Sequence, residues 1–328
     1  MRAWVVSEHG EPSAVLQDAD REPPVPEAGH VRVRVEAAAL GMPDVMMCRG
    51  VYPMTPPLPF VAGQEVCGVV DAVGEGVDLE VGARVMGVTT FYDGRGGFAE
   101  QAILQEATAF RVPDAMAAVD AAAFRIGYST AWVGLVRRGA VAEGDTLVVL
   151  GAAGGSGITA VQLGAALGAR VVAVAAGADK LEACTEAGAA AVVDRRDGSV
   201  TEALREATGG RGADLVYDPV GGELAGDALR ALAPGGRFLA VGFASGEWVR
   251  AETHDLVIGN QSLVGVFAGG PSRQEHEADH EALLGLHAEG RLRPLTETVA
   301  FDDLPGALTR VADGTAIGKL VTVPGSGG

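Results

Sequence analysis

Residues 147–180 constrain the fold of this chain more than any other segment. Residues 147–150 form a short, continuously apolar run, as expected of a parallel strand that is buried on both faces. The small residues of 151–157 (GAAGGSG) come next, and apolar side chains at helical spacing over 156–167 predict a helix. Residues 170–174 predict a second strand. A glycine turn between strand and helix lets unpaired helix N–H groups face an anion, so this βαβ unit is typical of a diphosphate site.

The glycine pattern of this turn is imperfect. Against the pattern G-x-G-x-x-G the aligned residues are Ala152, Gly154 and Gly157, so the first glycine is an alanine. A sharp strand-to-helix junction that binds nothing would account for the same residues in a chain with 48 glycines. The position of the turn inside a βαβ unit of the required length favours dinucleotide binding. The candidate residues of the turn are Ala153, Gly154, Gly155, Ser156 and Gly157.

The end of the second strand indicates which dinucleotide binds. An NAD site usually has Asp or Glu there, about 20 residues past the turn, to bind the ribose hydroxyls. This chain has Ala-Ala-Gly at 175–177, which leaves room for a 2′-phosphate, and Lys180 follows. Arg195 and Arg196 come one strand later. The alternative is that these three cations are ordinary solvated side chains. We predict NADP(H) as the cofactor in preference to NAD(H).

Composition excludes several function classes. The 328-residue chain has a formal net charge of −18, so nonspecific attraction to nucleic acid or to an anionic membrane is not expected. No run of 18 apolar residues without charge predicts a transmembrane helix, and the N-terminal residues read as a strand, with no secretory signal. Cys48, Cys67 and Cys184 are odd in number and far apart, which fits a reducing cytoplasm and no disulfide framework.

The pattern of the chain changes near residue 121. Before it, turns separate strand-like runs such as 31–35, and the proline-rich segment 52–59 predicts an irregular loop that could border a pocket. After it, strands alternate with helices up to a last strand at 262–267, which predicts a doubly wound parallel sheet. The fold class is therefore α/β with a second, mainly β domain. Residues 277–289 predict a further helix, and the C-terminal segments could return to the first domain.

Several short motifs place the chain beside a known family. It resembles the zinc-independent quinone oxidoreductase group of the medium-chain dehydrogenases/reductases over nearly its whole length. The segments that carry the resemblance are 29–35 (GHVRVRV), 43–45, 49–53 (RGVYP), 58–65 (LPFVAGQE), 81–85 (VGARV), 152–157 with 160–163 (AVQL), and 318–321 (GKLV).

The resemblance implies a domain organisation, a cofactor and a partner. A discontinuous catalytic domain that resembles the GroES fold would comprise residues 1–120 and 269–328, and a Rossmann NADP-binding domain would comprise residues 121–268. The active site would lie in the cleft between them. The resemblance also implies NADPH and a homodimer, often joined edge to edge through the last Rossmann strand, here 262–267.

The residues at two positions argue against a metal. Zinc-dependent relatives carry Cys where this chain has Gly41 and His where it has Gln64. Catalytic zinc needs three nitrogen, sulfur or carboxylate ligands around an open position, and neither residue here supplies one. The four-cysteine loop of a structural zinc is also missing, because no cysteine lies between Cys67 and Cys184. We expect no metal.

Without a Lewis acid, the acceptor of the hydride must be activated by its own conjugation, as in a quinone or an α,β-unsaturated carbonyl compound. The resemblance makes Tyr52 the candidate proton donor, although the ring could simply cover the pocket. Gln64 is the second catalytic candidate, as a contact to the substrate carbonyl or the cofactor, although it could be an ordinary satisfied residue. Relatives often have Asn at position 41 and Tyr at position 46, so Gly41 and Met46 indicate a less polar pocket with room for a bulkier acceptor.

The resemblance also carries over a set of cofactor-binding positions. Asp44 could orient the cofactor or simply cap a helix at 45–48, and the two late segments, 242–245 and 266–267, could be tight turns and nothing more. The full set adds to the glycine turn the residues Asp44, Thr130, Gly177, Lys180, Arg195, Gly242, Phe243, Ala244, Ser245, Val266, Phe267 and Lys319.

The leading hypothesis is an NADPH-dependent oxidoreductase of the cytoplasm that transfers hydride to a quinone or another conjugated carbonyl compound. The first alternative is an enoyl-thioester reductase of fatty-acid or polyketide metabolism, for which this acidic chain shows no obvious basic entrance. The second is a non-catalytic NADPH-binding protein that has kept the fold. The sequence does not identify the physiological acceptor.

Overall fold

The chain forms two compact units in the computed structural model, which describes residues 1–325. Unit 1 comprises Met1–Ile126 and the segment from Pro294 onward, and unit 2 comprises Gly127–Arg293. Residues 269–293 thus lie in unit 2, whereas the predicted domain bounds place them with the catalytic domain; those bounds stay a prediction. Among the described helices, none combines the length and the apolar character that a membrane crossing requires.

The regular elements are numbered in chain order. The strands are β1 (Arg2–Val6), β2 (Leu16–Asp20), β3 (His30–Ala39), β4 (Phe60–Val61), β5 (Glu65–Val73), β6 (Arg84–Thr89), β7 (Gln101–Arg111), β8 (Thr146–Leu150), β9 (Arg170–Ala175), β10 (Ala191–Asp194), β11 (Ala213–Asp218), β12 (Leu232–Ala240), β13 (Ser262–Gly265), β14 (Thr296–Val299) and β15 (Lys319–Thr322). The helices are α1 (Pro12–Val15), α2 (Met42–Cys48), α3 (Ala118–Trp132), α4 (Gly155–Ala166), α5 (Ala178–Glu186), α6 (Val200–Ala207), α7 (Gly222–Leu229), α8 (Thr253–Gly259), α9 (Arg273–Ala288) and α10 (Leu304–Ala312). Short 3₁₀ turns occupy Phe91–Asp93 and Phe301–Asp303, and a π-helix, Val133–Arg138, continues α3.

Unit 1 is built on a six-stranded sheet in the order β14-β15-β3-β5-β6-β7. Strand β3 also pairs with β7, so the sheet closes on itself. The alternation predicted for 31–35 is observed, since Val31, Val33 and Val35 are buried in the core of the unit while Arg34 is exposed. A smaller sheet, β2-β1-β4, lies in the same unit. Helix α2 begins close after β3 and carries the first candidate site residue, Asp44.

Unit 2 is built on a sheet in the order β10-β9-β8-β11-β12-β13, in which every neighbouring pair is parallel. Strand β8 lies in the middle and all five of its residues are buried, which explains its continuous apolar sequence. From β8 the chain builds outward to β10 on one side and then from β11 to β13 on the other. The predicted α/β class with a doubly wound parallel sheet is therefore confirmed. Ligands of such sheets bind beyond the carboxyl ends of the strands, where the order reverses between β8 and β11.

Helix boundaries show where sequence patterns fell short. Helix α9 begins at Arg273, four residues before the predicted start, because Ser272 and Glu275 form a capping box ahead of the apolar pattern. The π-helix was not predicted.

Candidate active site

The glycine turn lies at the carboxyl end of β8 and leads into α4. Gly154 is the N-cap of α4 and has no side chain to bond the first N–H groups of the helix, so they remain directed at whatever lies beyond the turn. Gly157 sits in the first turn of α4, where an added Cβ would overlap the carbonyl oxygen of Gly151. Only glycine allows this close packing of helix on strand. The geometry is that of a diphosphate cradle.

A second group of predicted residues lies where β9 and β10 end. Gly177 is the N-cap of α5, and its N–H donates to Asp194 Oδ2 at 3.0 Å. Arg196 pairs with the same carboxylate at 2.6 Å and lies 3.5 Å from the position that a Cβ of Gly177 would take. The Arg196 guanidinium holds the pKa of Asp194 well below its usual range. Arg195 is exposed, and its backbone N–H donates to the carbonyl of Ala175.

This arrangement adds Asp194, which sequence reasoning did not consider, and selects Arg196 from the two neighbouring arginines. Asp194 neutralises Arg196 and fixes the start of α5, and Arg196 is the arginine that the structure brings to Gly177. The sequence shows Asp-Arg-Arg at 194–196, but it does not tell which of the two arginines approaches Gly177. Lys180 is half-buried in the first turns of α5, on the same segment as Gly177.

The loops after β11 and β12 are bonded to each other. Asp218 ends β11 and is fully buried, and its Oδ1 accepts the N–H groups of Val220 and Gly221, each at 2.8 Å. Ala244 donates its N–H to the carbonyl of Pro219, and Ser245 donates to that of Val220. Burial raises the pKa of Asp218 to about 6. The structure therefore brings the predicted segment 242–245 to the edge of the sheet beside the glycine turn.

The remaining predicted residues of unit 2 lie on two other elements. The N–H of Val266 donates to the carbonyl of Ala240 at 3.0 Å, while Phe267 follows with 68% of its side chain exposed. Phe243 stacks on Trp248, with ring centroids 4.5 Å apart. Thr130 is half-buried near the end of α3. Their roles in cofactor binding stay predictions.

Asp44 is held inside unit 1 by three backbone groups. Its Oδ2 accepts the N–H of Gly41 at 2.8 Å, and its Oδ1 accepts those of Gly63 and Gln64, each at 3.2 Å. Burial raises the pKa of Asp44 to about 7, while the charge of Lys319 opposes the rise. Of the two predicted roles, the structure shows the helix cap, since Asp44 closes a capping box at the start of α2. A contact with the cofactor stays a prediction.

The two catalytic candidates meet in unit 1. Gln64 is 7% exposed, and its side chain lies close enough to Tyr52 to influence the hydroxyl. Burial raises the pKa of Tyr52, and the nearby Gln64 side chain opposes the rise. The Nε2 group of Gln64 has no hydrogen-bond partner among residues 1–325. Buried donors are seldom left unpaired in native proteins, so this N–H group is a candidate contact for a ligand oxygen.

Lys319 is buried beside a carboxylate that sequence reasoning missed. Its Nζ lies 3.1 Å from Glu65 Oε2, with the side chains 12% and 1% exposed. The other oxygen of Glu65 accepts the N–H of Ile126. A Cβ at Gly41 would lie 3.7 Å from the Lys319 ammonium, so the small residue at this position leaves space for the cation. The sequence feature that could have indicated Glu65 is its position directly after Gln64. A role of Lys319 in cofactor binding stays a prediction.

Within residues 1–325, no group of three or more His, Cys, Asp or Glu side chains is placed to hold a metal ion. The three cysteines are buried and free, and burial raises the pKa of their thiols, to about 12 for Cys48 and Cys67 and about 11 for Cys184. That the protein works without zinc stays a prediction.

A parallel nucleotide-binding sheet with a diphosphate turn, carried in one chain with a closed β unit, defines a class of dinucleotide-dependent oxidoreductases. Residues 27–114 match the family model of the alcohol dehydrogenase GroES-like domain, and residues 155–284 match that of the zinc-binding dehydrogenase. The words 'zinc-binding' describe the family model, and no zinc ligand is assigned to this chain on that basis.

Individual relatives point the same way. The chain is 31% identical to quinone oxidoreductase-like protein 2 of Rattus norvegicus over 326 residues, which cover 98% of this chain and 91% of the relative. It superimposes on a mycobacterial protein solved with NADPH (29% identity, TM-score 0.90) and on a quinone oxidoreductase of Pseudomonas syringae (28% identity, TM-score 0.89). Each superposition covers 99% of this chain and 100% of the other.

The chain therefore belongs to the quinone oxidoreductase group of the medium-chain dehydrogenase/reductase superfamily, and it is an NADP(H)-dependent oxidoreductase. The predicted family, fold class, cofactor and enzyme class are confirmed.

Proposed function

We propose that this oxidoreductase transfers hydride from NADPH to a quinone or another α,β-unsaturated carbonyl compound, without zinc. The observation that carries the proposal is the buried amide of Gln64, whose Nε2 group lacks a hydrogen-bond partner among residues 1–325 and whose side chain lies close to Tyr52. The pair offers one hydrogen-bond donor and one exchangeable proton in a buried setting. A conjugated carbonyl needs no more than these from the protein.

The residues of unit 2 fit NADPH. The diphosphate matches the start of α4, where Gly154 and Gly157 leave the backbone open, and the 2′-phosphate matches the cationic group beside Gly177. We assign Arg196 to that phosphate together with the predicted Lys180 and Arg195. When bound, NADPH supplies the hydride.

Gln64 and Tyr52 would then complete the reduction. Negative charge develops on the carbonyl oxygen of the acceptor as its conjugated carbon is reduced, and the Gln64 Nε2 group donates a hydrogen bond to that oxygen. Because burial raises the pKa of Tyr52, its hydroxyl holds its proton at neutral pH and can give it to the reduced acceptor. Water then restores the proton of Tyr52.

An apolar loop near Tyr52 supports a bulky acceptor. Met54 and Leu58 remain 40% and 38% exposed on the proline-rich segment 52–59, and Val51, directly before it, is 58% exposed. Apolar side chains around a few polar groups are typical of small-molecule sites. We infer that a quinone with hydrocarbon bulk binds better than a small enone.

The direct test is NADPH oxidation by the purified protein with naphthoquinones, alkenones and enoyl thioesters. We expect turnover of the first two, a loss of about 100-fold in kcat for Gln64→Leu, as for other single oxyanion donors, and a lower kcat for Tyr52→Phe. Tyr92→Phe is the matched control, because Tyr92 packs against the same Phe91 ring as Tyr52 does. Full turnover by Tyr52→Phe on every acceptor would remove the acid role. A preference for thioesters would indicate the enoyl reductase, and tight NADPH binding without turnover would indicate the non-catalytic alternative.

We also propose a homodimer in the cytoplasm. Strand β13 pairs with β12 at the end of the sheet, and exposed apolar side chains surround it at Val257, Ile258, Leu263 and Phe267. Leu263→Glu should convert a dimer into a monomer in analytical ultracentrifugation, and a wild-type monomer would contradict the proposal. Elemental analysis after dialysis tests the absence of zinc.

A further inference from the structure

A fully buried tyrosine lies next to the glycine turn. Tyr217 is the penultimate residue of β11 and is paired with Val149 of β8. Its hydroxyl shares a hydrogen bond of 3.0 Å with Ser156 Oγ. Ser156 is the second residue of α4, within the predicted diphosphate-binding turn. The one side-chain hydroxyl of this turn is thus taken up by the neighbouring strand.

The ring of Tyr217 is fixed by the π-helix. A Cβ at Gly134 would lie 3.0 Å from Cε2 of Tyr217 and 3.6 Å from Val266 Cγ1, so the missing side chain is what lets the ring approach. The N–H of Gly139 donates to the carbonyl of Gly134, five residues earlier, as π-helical geometry requires. Such π-helical turns are rare and occur often at functional sites. The π-helix packs against both Tyr217 and the segment that contains Val266.

The hydrogen bond has a consequence for the backbone of α4. Serine hydroxyls near a helix start bond readily to the N–H groups there, which compete with an anion for the same donors. Because the Ser156 hydroxyl is hydrogen-bonded to Tyr217, it leaves the N–H groups at the start of α4 open to an anion. The same bond fixes the first turn of α4 to strand β11. Burial raises the pKa of Tyr217, so the hydroxyl stays neutral at every physiological pH.

We propose that Tyr217 is a positioning residue for the cofactor diphosphate, which acts by holding Ser156 and the first turn of α4 in the conformation that binds phosphate. The proposal rests on the placement of the diphosphate at the glycine turn. Nothing in it requires Tyr217 to touch the cofactor.

The test compares two ligands by isothermal titration calorimetry. NADPH carries the diphosphate, whereas adenosine 2′-monophosphate carries the adenine, ribose and 2′-phosphate without it. We expect Tyr217→Phe to raise the Kd of NADPH about three- to tenfold, the range set by one net hydrogen bond. The Kd of adenosine 2′-monophosphate should change less than about twofold. Ser156→Ala should match Tyr217→Phe, and the double variant should be no weaker than either single variant.

Tyr128→Phe is the matched control. Tyr128 is also fully buried in unit 2, and its hydroxyl donates to Gln162 Oε1 at 2.6 Å in the middle of α4, away from the turn. It should leave the ratio of the two Kd values unchanged. Equal weakening of both ligands by Tyr217→Phe, an unchanged NADPH Kd, or additive effects in the double variant would each overturn the proposal. Ser156→Asp tests the placement separately, because a carboxylate at the turn should abolish NADPH binding whatever Tyr217 does.

Discussion

Removal of the Lys319 ammonium should destabilise the protein in a pH-dependent way. The pair with Glu65 is almost wholly buried, and at 3.1 Å with an effective dielectric constant of about 20 its gross attraction is about 5 kcal/mol. Breaking a buried pair from one side costs roughly 3–5 kcal/mol. We expect Lys319→Met to lose about 3 kcal/mol at neutral pH, at the lower end of that range. Glu65 keeps the hydrogen bond from Ile126 and the charge of Arg125 nearby.

The pH dependence follows from the carboxyl group. Burial raises the pKa of Glu65 above its ordinary value of 4.5, and Lys319 is the largest influence that opposes the rise. Without Lys319 the pKa rises further. A group whose folded-state pKa is raised contributes stability that is complete below its unfolded pKa and is lost as the pH rises through the folded pKa. The deficit of Lys319→Met should therefore be small near pH 5 and large near pH 8.

Urea unfolding followed by circular dichroism at both pH values measures the deficit. The matched control is the double variant Lys319→Met with Glu65→Gln, which removes both charges of the pair. It should be more stable than Lys319→Met alone at about pH 8. Refutation would be a Lys319→Met protein within about 1 kcal/mol of wild type at pH 8, or an equal deficit at both pH values.

Three further predictions concern unit 2. Gly157→Ala should lose NADPH binding and about 1–3 kcal/mol of stability, because its Cβ overlaps the carbonyl of Gly151; titration with NADPH and urea unfolding measure the two effects. Arg196→Ala should raise the Kd of NADPH about tenfold and leave that of NADH unchanged. Arg195→Ala should have a smaller effect, and a larger one would return the role to Arg195. Asp218→Asn should become more stable relative to wild type as the pH rises through about 6, because the raised pKa of Asp218 makes wild type lose stability there. The same difference in unfolding free energy between the two proteins at pH 5 and pH 8 would contradict this.

Sequence predicted the architecture of unit 2 because its signals are local. The apolar run of β8, the small residues after it and the helical spacing of α4 are read within one short segment, and the structure places all three elements there. The parallel sheet follows from repetition of this alternation. The carboxyl edge of the sheet, where the candidate residues of unit 2 gather, is then fixed by topology alone.

The side-chain pairs could not be predicted, because they join residues that are distant in sequence. Glu65 and Lys319 are separated by most of the chain, and neither residue type alone indicates a buried pair. Ser156 and Tyr217 meet because β11 lies beside β8, which only the strand order reveals. The bonds of Asp44 to the backbone of Gly63 and Gln64 likewise join segments that are distant in sequence.

An acidic protein that binds an anionic cofactor must offset, at the binding site, the repulsion between its own negative charge and the cofactor. The net charge is −18, yet two acids close to the candidate residues are each paired with a cation of their own unit. Arg196 pairs with Asp194 beside Gly177, and Lys319 pairs with Glu65. What then attracts the diphosphate is the uncapped start of α4, whose N–H groups carry no side chain and no compensating acid. Because exposed charges are screened beyond about 8–10 Å at physiological salt, these local groups outweigh the distant negative charges, and raising the ionic strength should weaken NADPH binding only modestly.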